Sequence, residues 1–403
     1  MTKQLNRRQF AVLIASLMAT SIGQSLVFAI LPPLGREVNL GELQITSIIA
    51  VSALIFSIAS PRWGRLSDRV GRKPIIITGL LGYTVGTVLF SSVFLAGLTG
   101  VLGGLTLYSA LLLARCCQSV IMAATSPSAA AYTADHTSAA QRTGAMAKLG
   151  TANSMGTILG PAVSGLLATI GLLAPLYFAG ILTLGAAIIV WRFLPPTPPT
   201  QLGPRKTKAK LRYTDPRVVR YLASAIGLFV GFSGIQQTLG FQLQDKLALT
   251  GIETAQMTGA ALMVSAIFTF IIQVTVMQRV KLKATQFVRI GLSSALLGAA
   301  FVASFETFTI LAIGMGFLGA GLGLCMPAIS AGASLAVTPE EQGAVAGMVS
   351  SCPAIGFIVG PISAGFLYQI HGPLAAVFSA TVFSIVLLSL VFIERKPAEQ
   401  QHQ

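Results

Sequence analysis

Gly64-Arg65-Leu66-Ser67-Asp68-Arg69-Val70-Gly71-Arg72-Lys73 separates two apolar runs, 44–62 and 74–97. Counted from Arg62, it packs five cations and one acid into twelve residues of a chain that is only 10% charged. It reads as a dense charged turn, with Gly64 and Gly71 supplying the backbone freedom a tight connection needs. Basic connections between membrane-length segments collect on the cytoplasmic side of a bilayer. The stretch therefore gives both a compartment and an orientation.

The 403 residues are 54% hydrophobic, with a mean hydropathy of +0.78. Water-soluble proteins carry far more charge, so the composition implies a lipid solvent. The first run, 10–31, is uncharged and follows Lys3, Arg7 and Arg8. A secretory signal peptide shares the basic start and apolar core. Twenty-two uncharged residues are long for such a core, and similar runs recur to the C-terminus. The segment reads as a first spanning helix.

Outward from the charged turn, apolar windows and Gly, Pro or charge breaks give twelve spans. Their limits are 10–32, 44–62, 74–97, 102–131, 143–168 and 172–194, then 217–240, 255–278, 284–304, 307–335, 343–369 and 373–393. The runs are too long and too uniformly apolar for barrel strands. With the N-terminus inside, 24 of the 27 Lys and Arg fall in or beside inner segments. Arg36 and Lys246 fall outside, and Arg115 lies within a span. This distribution turns the net charge of +15 into a positive-inside pattern and argues against nucleic-acid binding. An even number of spans puts both termini in the cytoplasm. Cys116, Cys117, Cys325 and Cys352 lie in apolar segments without metal-ligand spacing and are expected to be small core residues.

Between the sixth and seventh spans the composition changes. Pro195, Pro196, Pro198 and Pro199 precede Arg205, Lys206, Lys208, Lys210 and Arg212. Proline stops the sixth helix, and the basic run holds the connection in the cytoplasm. The expected division is a six-helix bundle over 1–195, a basic linker over 196–216 and a second six-helix bundle over 217–403. The halves also repeat. Gly156-x-x-x-Gly160-Pro161-x-x-x-Gly165 recurs as Gly356-x-x-x-Gly360-Pro361-x-x-x-Gly365, an offset of 200 residues that Pro127 and Pro327 share. The fold class is thus an all-α polytopic membrane protein of twelve transmembrane helices in two six-helix pseudo-repeats, an architecture of secondary transporters.

With these motifs in place, the chain resembles a major facilitator superfamily transporter along essentially its full length. Gly64-x-Leu66-x-Asp68-Arg69-x-Gly71-Arg72-Lys73 matches the superfamily's signature between its second and third helices. The fifth-span Gly-Pro pattern resembles the antiporter motif of drug/proton exporters, with Ser164-Gly165 where that motif has paired glycines. Leu111-x-x-x-Arg115-x-x-Gln118 resembles the motif whose arginine is linked to proton transfer, with Ser119 in place of the usual glycine. The resemblance implies the twelve-helix drug/proton antiporter branch. It also implies a proton gradient as energy source with no cofactor, and a small molecule, protons and the bilayer as partners of a monomer.

The residues suggest roles of their own. Asp68, at the end of the second span, suits a helix N-terminus. A contact with the start of the eleventh span near Gly343 would latch the two halves, with Arg69, Arg72 and Asp135 adding ion pairs. At the matching turn of the second half, Gln278-Arg279-Val280-Lys281-Leu282-Lys283 keeps the charge but lacks the acid and glycines, so such a latch is asymmetric. Small residues around Pro161 would let the fifth and eighth spans approach closely. Arg115 at mid-helix costs about 2.5–3.5 kcal/mol on insertion scales, so it should face a cavity or a partner. Arg115, Gln118 and Asp135 are candidates for proton coupling or substrate contact, and Gln24, Asn153, Gln236 and Gln237 for lining a central cavity. Gln242 and Gln244 extend the last pair outward along the seventh span.

One absence bears on cargo. No Asp or Glu lies securely within a span, and an unneutralised Arg115 favours an anionic or neutral substrate over a cationic drug. The reading is a proton-coupled exporter working by alternating access. The alternatives are an exporter of an anionic metabolite such as a carboxylate siderophore, a proton-coupled importer and, more remotely, a non-transporting membrane receptor. An enzyme is not expected. His136, His371 and His402 are scattered, no metal spacing or nucleophile motif is present, and Gly71-Arg72-Lys73-Pro74 is not a phosphate-binding loop.

Overall fold

The computed structural model describes residues 6–137, 139–196, 211–280, 282–338 and 341–395. Most of the basic linker, 197–210, lies outside the described residues, as does Lys281. Among the described residues there are thirteen helices: α1 (Arg7–Glu37), α2 (Glu42–Val70), α3 (Arg72–Leu98), α4 (Gly104–Met122), α5 (Thr125–Asp135), α6 (Ala139–Ala168), α7 (Ala174–Phe193), α8 (Val219–Leu247), α9 (Gly251–Arg279), α10 (Ala284–Ser304), α11 (Phe308–Leu335), α12 (Gln342–Ile370) and α13 (Leu374–Arg395). α4 and α5 form one span, giving the twelve expected spans. Ten are long and apolar enough to cross a bilayer by length and composition. The exceptions are α6, which carries Lys148 and Asn153, and α13, whose described apolar stretch is Leu374–Leu390.

Most of the spans are longer than their apolar windows, and residues 64–73 show why. The expected turn over 64–73 is helical almost throughout: α2 continues through Arg62, Arg65 and Arg69 to Val70, and α3 begins at Arg72. Gly71 alone makes the turn, at φ 106°, with its N–H on the Ser67 carbonyl at 3.1 Å. That φ is open to glycine and strained for other residues. Charge does not end a helix when its side chains reach water. Gly64 plays no part in the turn. It lies inside α2, where an added Cβ would sit 3.6 Å from Pro127 of α5.

Pro127 and Pro327 share the repeat offset but not the outcome. α11 runs through Pro327, whereas the fourth span breaks at Ala123-Ala124 and restarts at Thr125. Proline near a helix start gives up no bond, because the first N–H groups have no intrahelical partner.

The described chain forms two compact units, 1–204 with 249–260 and 205–248 with 261–403. In the first, α1 packs on α6 and α7, and α3 on α4 and α7. In the second, α8 packs on α12 and α13, and α10 on α11 and α13. The repeat is thus a repeat of packing. Its seams are glycine contacts. A Cβ at Gly156 would lie 2.9 Å from the Met18 carbonyl oxygen, and one at Gly160 2.8 Å from that of Ile22. In the second unit Gly356 and Gly360 meet Phe229 and Ser233 in the same manner. A serine on the facing helix seals each seam: Ser25 Oγ donates to the Gly156 carbonyl (3.2 Å) and Ser233 Oγ to that of Gly356 (2.8 Å).

The Gly-Pro element therefore packs mainly on α1. Its second half reaches the eighth span: a Cβ at Gly165 would meet Gln256 of α9 at 3.2–3.3 Å, and one at Gly259 would meet the Pro161 carbonyl oxygen and, at 3.2 Å, Gly165. That start of α9 belongs to the first unit. The pairing of fifth and eighth spans holds for Pro161 and Gly165, while Gly156 and Gly160 serve the first span.

Candidate functional site

Arg115 sits eleven residues into α4, about 17 Å along the helix axis at 1.5 Å per residue. It is 3% exposed, so it does not reach out to a membrane surface. Its Nη1 donates to Gln118 Oε1 at 2.5 Å. Gln118 Nε2 in turn donates to Thr87 Oγ1 (2.6 Å) and to the Tyr83 carbonyl (3.2 Å) of α3. The guanidinium lies 5.6 Å from the Phe90 ring centroid, within cation–π range. Glycines on α3 make this possible. A Cβ at Gly86 would sit 3.0 Å from Gln118 Cα, and one at Gly79 2.8 Å from the Thr125 amide. Tyr83 reaches α1, where Gly23 leaves room for its ring.

Donors outnumber acceptors in this cluster. Arg115 Nε, Tyr83 Oη and Ser119 Oγ are buried without a hydrogen-bond partner. No carboxylate pairs with Arg115 among the described residues. A buried charge is ordinarily compensated by a counter-ion, so the cluster is a fixed positive site held by an amide, an aromatic face and a carbonyl. The second unit lacks it among its described residues. There Cys325 of α11 donates to the Val288 carbonyl (3.5 Å) against Gly291, as Gln118 does to Tyr83 against Gly86. Leu322 lies three residues before Cys325, as Arg115 lies three before Gln118.

The other expected residues fall into separate places. Arg72 is buried and is the hub of the charged motif. It bonds Asp68 at 2.5 Å, Asp135 at 2.9 Å and Ser67 Oγ at 2.8 Å. Asp135 thus belongs with the motif between α2 and α3 and not with Arg115. Lys73 Nζ binds the Trp191 carbonyl in the last turn of α7 (2.7 Å), a cation closing a helix C-terminus. Arg69 is exposed. Gln24 is half-buried on α1, and Asn153, exposed on α6, accepts from Ser21 Oγ. Gln236 and Gln237 are buried on α8, with Gln236 Oε1 and Gln237 Nε2 unpartnered. Cys325 and Cys352 are buried as expected, but Cys117 is exposed, because α4 turns that face outward.

Sequence reasoning missed three sets of residues. Tyr83 and Thr87 complete the arginine cluster, and the glycine spacing 79, 82, 86 was the available signal of a close α3–α4 seam. On α8, Asp245 accepts from Tyr368 Oη at 2.5 Å, a link between distant positions that no local pattern marks. Ahead of α8, Arg217 forks between Asp215 (2.8 Å) and Glu341 (2.9 Å), and Tyr213 meets Ser351 at 2.8 Å. Hydrogen bonds from Arg217 hold the carboxyls of Asp215 and Glu341 below their ordinary range. The two outer cations are also engaged. Arg36 pairs with Glu42 at 2.7 Å, and Lys246 closes the end of α10 on the carbonyls of Ala303 and Phe305.

Residues 13–305 and 279–403 match the Major Facilitator Superfamily. The chain belongs to the major facilitator superfamily. It is an integral membrane transporter and not an enzyme. Among the described residues no group of His, Cys, Asp or Glu is arranged to hold a metal. Relatives of this transporter include multidrug resistance protein 2 of Bacillus subtilis, 27% identical over 98% of both chains. The class B tetracycline resistance protein of Escherichia coli is 26% identical, also over 98% of both. The nucleoside transporter NupG has a similar fold, with TM-score 0.73 and 13% identity over 96% of this chain and 98% of that one. The human organic anion transporter MFSD10 does so at TM-score 0.67 and 18% identity, over 95% and 99%.

Proposed function

We propose that this transporter is a proton-coupled exporter of small molecules. It acts as a monomer in a bacterial inner membrane with both termini in the cytoplasm. The observation that carries the reading is the Arg115–Gln118–Thr87 cluster, a charge kept within a bilayer-spanning helix at a cost packing does not repay. Full-length similarity to multidrug and tetracycline resistance proteins supports export. The bundles, 1–195 and 217–403 joined by the linker 196–216, would rock about a central site and expose it to each side in turn. Arg115 and Gln118 would meet the substrate or the coupling proton, with Gln24, Asn153, Gln236 and Gln237 as further lining. Asp68, Asp135 or the substrate's own carboxylate would carry the proton. Asp68, Arg69, Arg72 and Lys73, with Gly64 and Gly71, would latch the inner side through the pairs that already converge on Arg72.

A second reading concerns cargo. Arg115 has no carboxylate partner among the described residues, which favours an anionic substrate such as a carboxylate metabolite. Reconstitution into vesicles with an imposed pH gradient tests both readings. Uptake of a cationic dye and of a di- or tricarboxylate is followed with and without a protonophore, for the native chain and Arg115→Ala. Gradient-driven flux of either compound supports export, and its absence for every compound tried removes that reading. Loss of carboxylate flux alone in Arg115→Ala supports the anionic cargo. Equal loss of both, or no loss, removes it.

A further inference from the structure

We infer that a groove on the first unit, beside Trp63, is a binding site for an anionic phospholipid. The groove has a volume of about 340 Å³ and lies between α2 and α4, within the size range of small-molecule sites. Ile55, Ile58, Leu66 and Val120 make its apolar floor, and Arg62 and Trp63 complete its lining. Trp63 Nε1 donates to the Val120 carbonyl at 2.6 Å, fixing the indole as a wall of the groove. Arg62 Nη1 donates to the Ile58 carbonyl at 3.0 Å, which turns the guanidinium back over the apolar floor.

The chemistry of the occupant follows from the order of residues along one helix face. Ile55, Ile58, Arg62, Arg65 and Arg69 recur at intervals of three and four, so they share a stripe of α2. That stripe passes from hydrocarbon to cation within about 20 Å. Arg62, Arg65 and Arg69 are all exposed. The acids nearest them, Asp68 and Asp135, are engaged by Arg72, so the stripe keeps a net positive charge. Guanidinium forks match phosphate oxygens, and tryptophan settles at the headgroup level of a bilayer. A molecule with an acyl chain attached to an anionic phosphate fits both the apolar lining and the arginines of the α2 stripe. Free phosphate would leave the apolar floor uncovered, and a zwitterionic lipid would leave the arginines uncompensated.

The chain has only two tryptophans, Trp63 and Trp191, which supplies a reporter. Full-length Trp191→Phe protein is reconstituted in zwitterionic vesicles doped with brominated phosphatidylglycerol or brominated phosphatidylcholine, and Trp63 quenching is followed. Each arginine near the surface contributes about five-fold to attraction for anionic lipid. The expected result is half-quenching at a several-fold lower mole fraction of the brominated anionic lipid. Arg62→Gln with Arg65→Gln, and Arg62→Gln alone to a lesser degree, should erase that preference while the protein still elutes as a single species. Equal quenching by both lipids overturns the proposal, as does a preference that survives both substitutions. So does the same preference seen by Trp191 in Trp63→Phe protein. Loss of the preference on adding excess soluble glycerophosphate identifies a phosphate site instead and also overturns it.

Discussion

Alanine at Gly160 puts the repeated seam under direct load. The added Cβ would lie 2.8 Å from the Ile22 carbonyl oxygen and 2.9 Å from Ser25 Cβ, and would overlap Ser25 Oγ. Carbon atoms rest at about 3.5–4.0 Å from their neighbours, so α1 and α6 must part by roughly 0.5 Å or more. In a bilayer the seam is held by packing, because lipid supplies no hydrophobic drive between helices. A gap of that size forfeits about a quarter to a half of each contact's attraction. Overpacking costs about 1–3 kcal/mol. The Ser25–Gly156 hydrogen bond, 3.2 Å in the native seam, adds about 1 kcal/mol when lengthened. The total of about 2–4 kcal/mol corresponds to a fall in Tm on the order of 5–15 °C for a unit of this size.

The assay is the fraction of detergent-solubilised protein surviving as a monodisperse peak after heating. Ser25→Gly removes two of the three clashing atoms and leaves the Ile22 carbonyl, so Gly160→Ala combined with Ser25→Gly should recover about half the loss. Neighbours that share a contact couple in this non-additive way. An unchanged Tm in Gly160→Ala, or strict additivity with Ser25→Gly, would refute a tight α1–α6 seam. The same reasoning applies to Gly360→Ala with Ser233→Gly in the second unit.

Two further outcomes follow from the charged groups. Asp215 and Glu341 have carboxyls held low by Arg217, so their contribution is full above the ordinary carboxylate range of about 4 and is lost as pH falls through the depressed values. Tm should be level from pH 8 to 5 and drop more steeply below pH 4 in the native chain than in Glu341→Gln; parallel curves would show that the fork adds nothing. Asp68→Asn removes one of the two acids on buried Arg72. It should slow transport several-fold and raise protease or thiol-reagent access to the inner side, and unchanged flux and accessibility would reduce the motif to a topological signal.

Much of this fold was legible because lipid leaves few solutions. Each span must satisfy its own backbone, so apolar length and breaker residues set the helices. What periodicity left open was where charge sits relative to a helix end. Arg62, Arg65 and Arg69 read as a turn because charge in a soluble chain often marks one. At a membrane surface the helix runs on, and only Gly71, at φ 106°, is obliged to end it. The Gly-Pro repeat announced close packing but not its partner. Gly156 and Gly160 turned out to serve α1, because a glycine pattern reveals a groove without naming the ridge that fills it.

The candidate site was half legible for a related reason. Arg115 and Gln118 stand out in an apolar helix, three residues apart on one face. Their partners Tyr83 and Thr87 are more than thirty residues away in sequence, and an aromatic or hydroxyl residue in a span is unremarkable by itself. The decisive asymmetry is invisible in either half alone. Only when the Gly86–Gln118 seam is set against the Gly291–Cys325 seam does the second appear with a thiol and no buried arginine. The first bundle buries two charges, Arg72 and Arg115, and the described residues of the second bury none. On the function proposed above, Arg115 is kept for what it does to an anion or a proton passing through.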